Sequence, residues 1–452
     1  MKGKRVTVIG AGLSGVHVSN LLKKRGYEVW LSEIKLRSRC SSSIIKLIAA
    51  ENIPCEMGGH SQRALEADFA VVSPGISPEV PIIKKLMEKG IPVYSEVEVS
   101  SWFTSSPIIA VTGSNGKSTT ATLIHEMCKR GGFNSLLGGN IGIPFSSLIL
   151  KAADESQNNS SIFVLEISSF QLERIEKFKP HISLILNITP DHLNRYANFE
   201  DYAATKLKIF SNQTDEDFLI YNADDELLRK VIPVKSRSRL CTFSAIRRND
   251  TSCYIESTEI VFTHEGVKLR IMPVTKLALK GEHNLYNAMA ATAAACLSGV
   301  NPEPIAEILQ EFRGIEHRLE FVREIKGIKF INDSKATNII SLKYALKSFS
   351  NPIVLIAGGR HKGDSFKQIA HLIRERVKTL ILIGEAADLR ENVWGSYTTV
   401  KRAKSMEEAV KLATHAAEEG DVVLLSPGCA SFDMFENFEH RGNIFKEAVL
   451  AL

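Results

Sequence analysis

Short apolar runs alternate with helix-length amphipathic stretches along most of the 452-residue chain. Val6-Thr7-Val8-Ile9, Val29-Trp30-Leu31, Phe69-Ala70-Val71-Val72 and Val93-Tyr94 are rich in β-branched and aromatic residues, which predicts buried strands. Strands separated by helices predict a parallel sheet, whose ligands gather at the carboxyl ends of the strands. The same pattern resumes at Ile108-Ile109-Ala110-Val111, at Ser161-Ile162-Phe163-Val164-Leu165 and at residues 183–188. It returns at residues 328–331, 353–357, 379–383 and 422–425. Residues 218–281 differ, because short β-type runs there alternate with turn residues and predict an antiparallel extension.

The chemistry suggested by this pattern lies in the turns. Thr112-Gly113-Ser114-Asn115-Gly116-Lys117-Ser118-Thr119 follows a buried-type strand and opens a helix, so backbone N–H groups and a helix N-terminus converge on a phosphate-sized anion. Lys117 supplies a point charge for outer phosphates, and Ser118 or Thr119 a hydroxyl for Mg²⁺. The longer phosphate-loop pattern is not met, since Val111 stands at its first glycine; the shorter T-G-x-x-G-K-[ST] form fits. Glu166 follows the strand 161–165 at its carboxyl end, where a Mg²⁺ ligand belongs. His192, after Thr189-Pro190-Asp191, fits either a metal ligand or a structural cap. Asn284 opens an alanine-rich helix and reads as its N-cap. Near the N-terminus, Gly10-Ala11-Gly12-Leu13-Ser14-Gly15 joins a strand to a helix, with Glu33 ending the next strand. That turn needs a diphosphate, and NAD or a sugar nucleotide satisfies it equally.

Composition narrows the class. Basic residues (56) and acidic residues (51) leave a net charge of +5, spread along the chain rather than gathered in one tract, so nucleic acid is not implied. The seven cysteines are odd in number and free of any C-x-x-C pair, which argues against a disulfide framework or a zinc site and suits a reducing cytoplasm. No apolar run approaches membrane-spanning length, and the first strand begins too early for a signal peptide. The expected fold is α/β in three consecutive domains: a Rossmann-like N-terminal domain (residues 1–97), a P-loop-type central ATPase domain with the antiparallel extension (98–313), and a Rossmann-like C-terminal domain (314–452).

Taken in order, the glycine turn, the phosphate loop, Gly139-Asn140-Ile141-Gly142, Glu166-Ile167-Ser168-Ser169-Phe170-Gln171-Leu172, Asp191-His192, His283-Asn284, His317-Arg318, Asn332-Asp333-Ser334-Lys335-Ala336-Thr337-Asn338 and residues 426–442 resemble the Mur ligase family. These ATP-dependent enzymes extend the peptide of bacterial cell-wall precursors. The 168–172 segment and Ser431-Phe432-Asp433 are similar to the member that joins D-glutamate to UDP-N-acetylmuramoyl-L-alanine. The Asp-Asn-Pro-Arg signature of the diaminopimelate- or lysine-adding member is not in the sequence. Folylpolyglutamate synthetase is the rival within the family, and an NAD-dependent oxidoreductase the rival outside it.

The resemblance implies roles for named residues. Gly113, Ser114, Asn115, Gly116, Lys117, Ser118 and Thr119 would hold the ATP phosphates, Asn284 and Asn287 the adenine, and Arg318 and Asp333 the ribose and phosphates. Ser118, Glu166 and His192 would bind Mg²⁺, joined by Lys206 as a carbamate, although from the residues alone Lys206 reads as an exposed helical lysine. Leu13, Ser14, Ile34, Lys35, Ser73, Gly75, Asn140, Ser168 and Gln171 would hold the UDP-sugar. Thr337, Lys362, Ser431, Phe432 and Phe438 would form the D-glutamate pocket, with Lys335 beside the transferring phosphate. Lys117, His192, Lys206 and Lys335 form the implied catalytic set. The implied setting is a cytoplasmic monomer that binds no nucleic acid and inserts in no membrane. Two positions depart from the family pattern: Glu33 stands where aspartate is commoner, and Arg360-His361 occupies a loop that often holds an acid.

Overall fold

Successive side chains of a strand point to opposite faces, so a strand covered on both sides reads as an unbroken apolar run. Ile108–Thr112 shows this: Ile109 and Val111 pack into one core with Ile162 and Val164, while Ile108 and Ala110 pack into another with Phe163 and Leu165. The computed structural model describes residues 3–154, 161–190, 195–246, 251–361 and 365–452. These form two compact units, Met1–Phe312 and Arg313–Leu452.

Two sheets make up the first unit among the described residues. One is five-stranded and all parallel, in the spatial order Cys55–Met57, Glu28–Glu33, Arg5–Ile9, Phe69–Val72, Val93–Ser95. The chain leaves the central strand in one direction and returns on the other side, so Arg5–Ile9 and Phe69–Val72 flank the point where strand order reverses. The nine-stranded sheet places Ile108–Thr112 between Ile162–Glu166 and Ile182–Ile185. Its far end, Cys253–Glu256, Glu259–His264 and Val267–Pro273, is antiparallel. The antiparallel part is shorter than the sequence pattern suggests. Phe218–Asn222 and Arg239–Ser244 join the parallel portion, and Glu226–Lys235 between them is a helix. Asp225 decides that helix by accepting the N–H of Leu228 at 3.1 Å, and Leu228 and Ile232, one turn apart, bury its inner face.

The second unit is a six-stranded sheet in which Val422–Leu425 lies between Ile328–Asn332 and Ile353–Gly358. Four parallel strand pairings are closed at one edge by the antiparallel Glu320–Ile325, which the apolar pattern does not reveal. It alternates half-buried and exposed positions, as a one-sided edge strand does. The two faces of the sheet are again separately filled, by Leu355 and Leu424 on one side and by Ile356 and Val423 on the other. No described helix is long and apolar enough to cross a membrane.

Within the first unit, the helix Glu96–Ser101 joins the two sheets through a buried acid. Glu98, 0% exposed, accepts the backbone N–H groups of Glu176 (2.9 Å), Lys177 (3.0 Å) and Phe178 (2.8 Å) and the indole N–H of Trp102 (2.8 Å). Removing the acceptor leaves buried donors unmet, which costs more than the lost bonds return. Glu98→Ala is expected to lower the unfolding free energy by about 3 kcal/mol, read by urea denaturation, while Glu98→Gln retains part of it.

Candidate active site

The first candidate site is built where Ile108–Thr112 ends. Gly113 (φ +153°) and Gly116 (φ +84°) take backbone conformations that favour glycine, and a Cβ on Gly116 would stand 2.3 Å from Asn287 Oδ1. Gly116 is the N-cap of the helix Lys117–Arg130 and offers no side chain to the first turn, so its amides face outward as an anion cradle. The neighbouring strand ends brace the loop. Ser114 N–H donates to Asn187 O at 3.0 Å, Asn115 N–H to Asn187 Oδ1 at 2.9 Å, and Ser114 Oγ to Thr189 O at 2.9 Å. Lys117 folds over the loop, its Nζ 2.8 Å from Gly113 O and 2.9 Å from Ser114 O. Thr119, half-buried, follows on the first helical turn.

Glu166 is buried and grips this loop from the next strand, accepting Ser118 Oγ at 2.6 Å and Asn140 Nδ2 at 2.7 Å. Asn140 is held there by its own N–H on Glu166 O at 2.7 Å, which requires Gly139 (φ +95°) to bring the two backbones together. Lys206, far from being exposed, is 2% exposed, with Nζ 2.8 Å from Gly113 O and 4.9 Å from the Tyr202 ring. The topology brings it there: the helix Phe199–Leu207 turns its inner face toward the phosphate loop. A carboxylate and a hydroxyl in contact form a hard oxygen pair of the kind Mg²⁺ takes when phosphates and water complete its shell. Among the described residues no group of three or more His, Cys, Asp or Glu could hold a metal unaided. His192 lies outside the described residues.

Asn287 and Asn284 stand beside the loop, Thr120 Oγ1 donating to Asn287 Oδ1 (3.3 Å) and Asn287 Nδ2 to Asn284 Oδ1 (3.3 Å). The N-cap of Glu282–Leu297 is Gly281 (φ +102°), not Asn284, whose amide instead reaches Lys280 O at 2.7 Å. Asn284 is a first-turn residue with its Oδ1 directed to Asn287, one turn on.

The second candidate site is the glycine turn. Gly10 (φ +95°) accepts Ser73 Oγ at 2.9 Å, and a Cβ on Gly15 would meet Gly10 O at 2.0 Å, so strand, helix and the Ser73 turn close tightly. Glu33 turns inward and accepts the N–H groups of Ala11 (2.7 Å) and Lys35 (2.9 Å), which the longer side chain can do from the end of its strand. Leu13 and Ile34 stay exposed at 47% and 63%, apolar surface at the strand-end turns, where Lys35 and Gly75 are also exposed and Ser14 is half-buried. Ser168 and Gln171 form a capping box on the short helix Ser169–Leu172. Missed from the sequence is Arg195, whose guanidinium pairs bidentately with Glu173 (2.8 and 2.7 Å) and donates to Ile76 O at 3.0 Å, tying the Ser73 turn to the central sheet. No local motif signals it.

In the second unit Asp333 is 5% exposed and accepts Ser426 Oγ at 2.7 Å and Leu319 N–H at 3.2 Å. Burial raises its carboxyl to about 7, against the opposing pull of those bonds and of the Arg318 and Arg441 charges. Arg318 itself is exposed. Lys335 N–H bonds His317 O at 3.0 Å and its Nζ lies 5.9 Å from the Phe438 ring. Gly428 N–H donates to Ala336 O at 2.7 Å, bringing the 426–432 loop against Lys335 and the half-buried Thr337. Ser431 is buried and Phe432 is 60% exposed. Arg360, the departure from the family pattern, pairs with Glu385 at 2.9 Å. Lys362 lies outside the described residues.

Because Asp333 holds its proton more tightly folded than unfolded, unfolding releases a proton between the ordinary carboxyl range and about pH 7. The contribution to stability is present below about pH 4 and is lost as pH rises through about 7. Unfolding of the ligand-free protein, followed in urea across that range, should show a fall in stability that Asp333→Asn flattens.

Comparison with known proteins follows the same layout. The family profile for the Mur ligase MurD-like N-terminal domain matches residues 4–95, that for the Mur ligase middle domain 111–295, and that for the Mur ligase glutamate ligase domain 317–429. A UDP-N-acetylmuramoylalanine--D-glutamate ligase of Chloroherpeton thalassium is 41% identical over 469 residues, covering 100% of this chain and 99% of its own. One of Christiangramia forsetii is 43% identical over 453 residues, covering 99% of each. The solved MurF ligase of Thermotoga maritima in complex with ADP has the same fold at 15% identity, with a TM-score of 0.52 over 94% of this chain and 95% of that one. With three consecutive domain matches and full-length relatives above 40% identity, the chain belongs to the Mur ligase family.

Proposed function

We propose that this protein ligates D-glutamate to UDP-N-acetylmuramoyl-L-alanine in peptidoglycan precursor synthesis, splitting ATP to ADP and phosphate. Relatives named for that ligation span the whole chain at 41–43% identity. The observation that carries the chemistry is the convergence of Lys117, the Glu166–Ser118 contact and buried Lys206 on one anion cradle.

An amide does not form from a carboxylate and an ammonium in water without activation. The alanyl carboxylate oxygen attacks the γ-phosphorus, the bond to the ADP oxygen breaks, and an acyl phosphate results. The amine of D-glutamate then attacks the acyl carbon, and phosphate leaves with the oxygen that came from the carboxylate. Phosphoryl transfer of this kind depends on positioning and charge neutralisation. Lys117 swings from the loop carbonyls to the β- and γ-phosphates, the first-turn amides of Lys117 to Thr119 hold the remaining oxygens, and Asn284 and Asn287 face the adenine. Mg²⁺, when bound, would neutralise charge on the phosphates. Ser118, Glu166 and His192 are the residues to hold it.

Lys206 is buried against the phosphate loop, its Nζ 2.8 Å from Gly113 O, where a bound Mg²⁺ would repel a free ammonium. Its neutral amine can add CO₂, forming an N–C bond and releasing a proton, so a cation becomes an anion fitted to the metal. On the first domain the exposed Leu13 and Ile34 and the Ser73 turn take the UDP moiety. In the second unit Arg318 and Asp333 serve the nucleotide, Lys335 the transferring phosphate, and Thr337, Lys362, Ser431, Phe432 and Phe438 the amino acid. The functional divisions fall near residues 97 and 313.

Phosphate release with ATP, Mg²⁺ and UDP-N-acetylmuramoyl-L-alanine is expected with D-glutamate and not with L-glutamate, L-lysine or diaminopimelate. Release with another of these instead would overturn the amino-acid assignment. Lys206→Ala should cost about 10³-fold in kcat. Rigorous CO₂ removal should depress the wild-type rate, with bicarbonate restoring it; a CO₂-independent rate would refute the carbamate.

A further inference from the structure

Arg390, on the helix Ala387–Trp394, is 0% exposed. Its guanidinium lies 4.9 Å from the Phe366 ring and 5.0 Å from the Trp394 ring. Nη2 is 3.0 Å from Cys429 Sγ, while Nε and Nη1 meet no hydrogen-bond acceptor among the described residues. Burial pulls the guanidinium below its ordinary range. A second cation, Arg441, is 1% exposed and holds the same loop from the other side, donating to Cys429 O at 3.2 Å and to Ser334 Oγ and O at 3.0 and 2.8 Å. The two guanidinium charges repel, and burial with that repulsion brings Arg441 to about 10.

This arrangement is costly as pure architecture. A buried cation with two donors unmet is less stable than a packed apolar side chain of the same volume. The backbone is also shaped around it: Gly428 has φ +58°, and a Cβ there would stand 3.1 Å from Arg390 Nη2. What the charge does is fix a sulfur, and through it residues 428–430, immediately before Ser431 and Phe432.

We infer that Arg390 is a positioning residue for the amino-acid substrate: its aromatic-flanked guanidinium holds Cys429, and so sets the loop that presents Ser431. This rests on the proposed ligase reading for the identity of the substrate. Arg390 acts through Cys429 and touches no reactant. The amino-acid side of the reaction therefore depends on it, and the nucleotide and UDP-sugar sides do not.

Arg390→Met replaces the cation with an apolar chain of similar length. Its melting temperature should equal or exceed that of the wild type, while KM for D-glutamate rises about tenfold, the worth of a charged hydrogen bond. KM for ATP and for UDP-N-acetylmuramoyl-L-alanine should stay unchanged, and Arg390→Lys should recover part of the loss. Alkylation of Cys429 by iodoacetamide, followed by peptide mass spectrometry, should be faster in Arg390→Met than in the wild type. An unchanged KM for D-glutamate with unchanged Cys429 labelling would overturn the inference, and so would a parallel rise in all three KM values with a lowered melting temperature. If the wild type failed to use D-glutamate, the ligase reading would fall, and the labelling comparison would still decide whether Arg390 holds the loop.

Discussion

The contact between Glu166 and Ser118, 2.6 Å across two adjacent strand ends, is the constraint around which the first unit is arranged. It forms only if Ile108–Thr112 and Ile162–Glu166 are in register, which their pairing of Val111 with Glu166 provides. It also needs a helix to start immediately after Gly116, whose left-handed conformation turns the chain into the cradle. The other oxygen of Glu166 holds Asn140, and Asn187 from the opposite strand braces Ser114 and Asn115. One carboxylate thus connects phosphate loop, metal-type oxygens and the Gly139 turn. The helix Glu282–Leu297 packs closely because its inner face is alanine from residue 288 onward, interrupted by Met289 and Thr292.

The second unit follows a different physical logic. Its strand-end loops are held by buried charge: Asp333 on Ser426, Arg441 on Ser334 and Cys429, Arg390 on Cys429. Buried polar networks are expensive unless each group is matched, and they then specify one geometry closely. Arg390, matched at one nitrogen, and Asp333, raised by burial, mark where stability has been given up at strand ends that the family resemblance assigns to substrates.

Much of this was legible in the sequence for reasons that are local. A phosphate loop is a contiguous string whose glycines, lysine and hydroxyl each have a backbone reason, so residues 112–119 announce themselves. Strands buried on both faces read as unbroken apolar runs, and the helices between them require the strands to run parallel. What the chain does not display is any contact set by distant segments. Lys206 looks like a surface lysine on a helix until the sheet brings that helix against Gly113. Arg390 looks like one more charged helical residue until Phe366 and Cys429, both distant in sequence, meet it. The helix Glu226–Lys235 was hidden by its β-branched residues and internal proline, and the cap at Asp225 outweighs them. Asn284 failed as a cap because Gly281 reaches φ +102° and takes that place.

The central claim is that the cradle at Gly113 to Thr119 transfers a phosphoryl group to a carboxylate. Its most direct test is a single turnover with UDP-N-acetylmuramoyl-L-alanine carrying ¹⁸O in the alanyl carboxylate, with the oxygen label then read in the products. One labelled oxygen is expected in inorganic phosphate, and none in the nucleotide. Label in AMP, or phosphate free of label while the amide forms, would contradict the account.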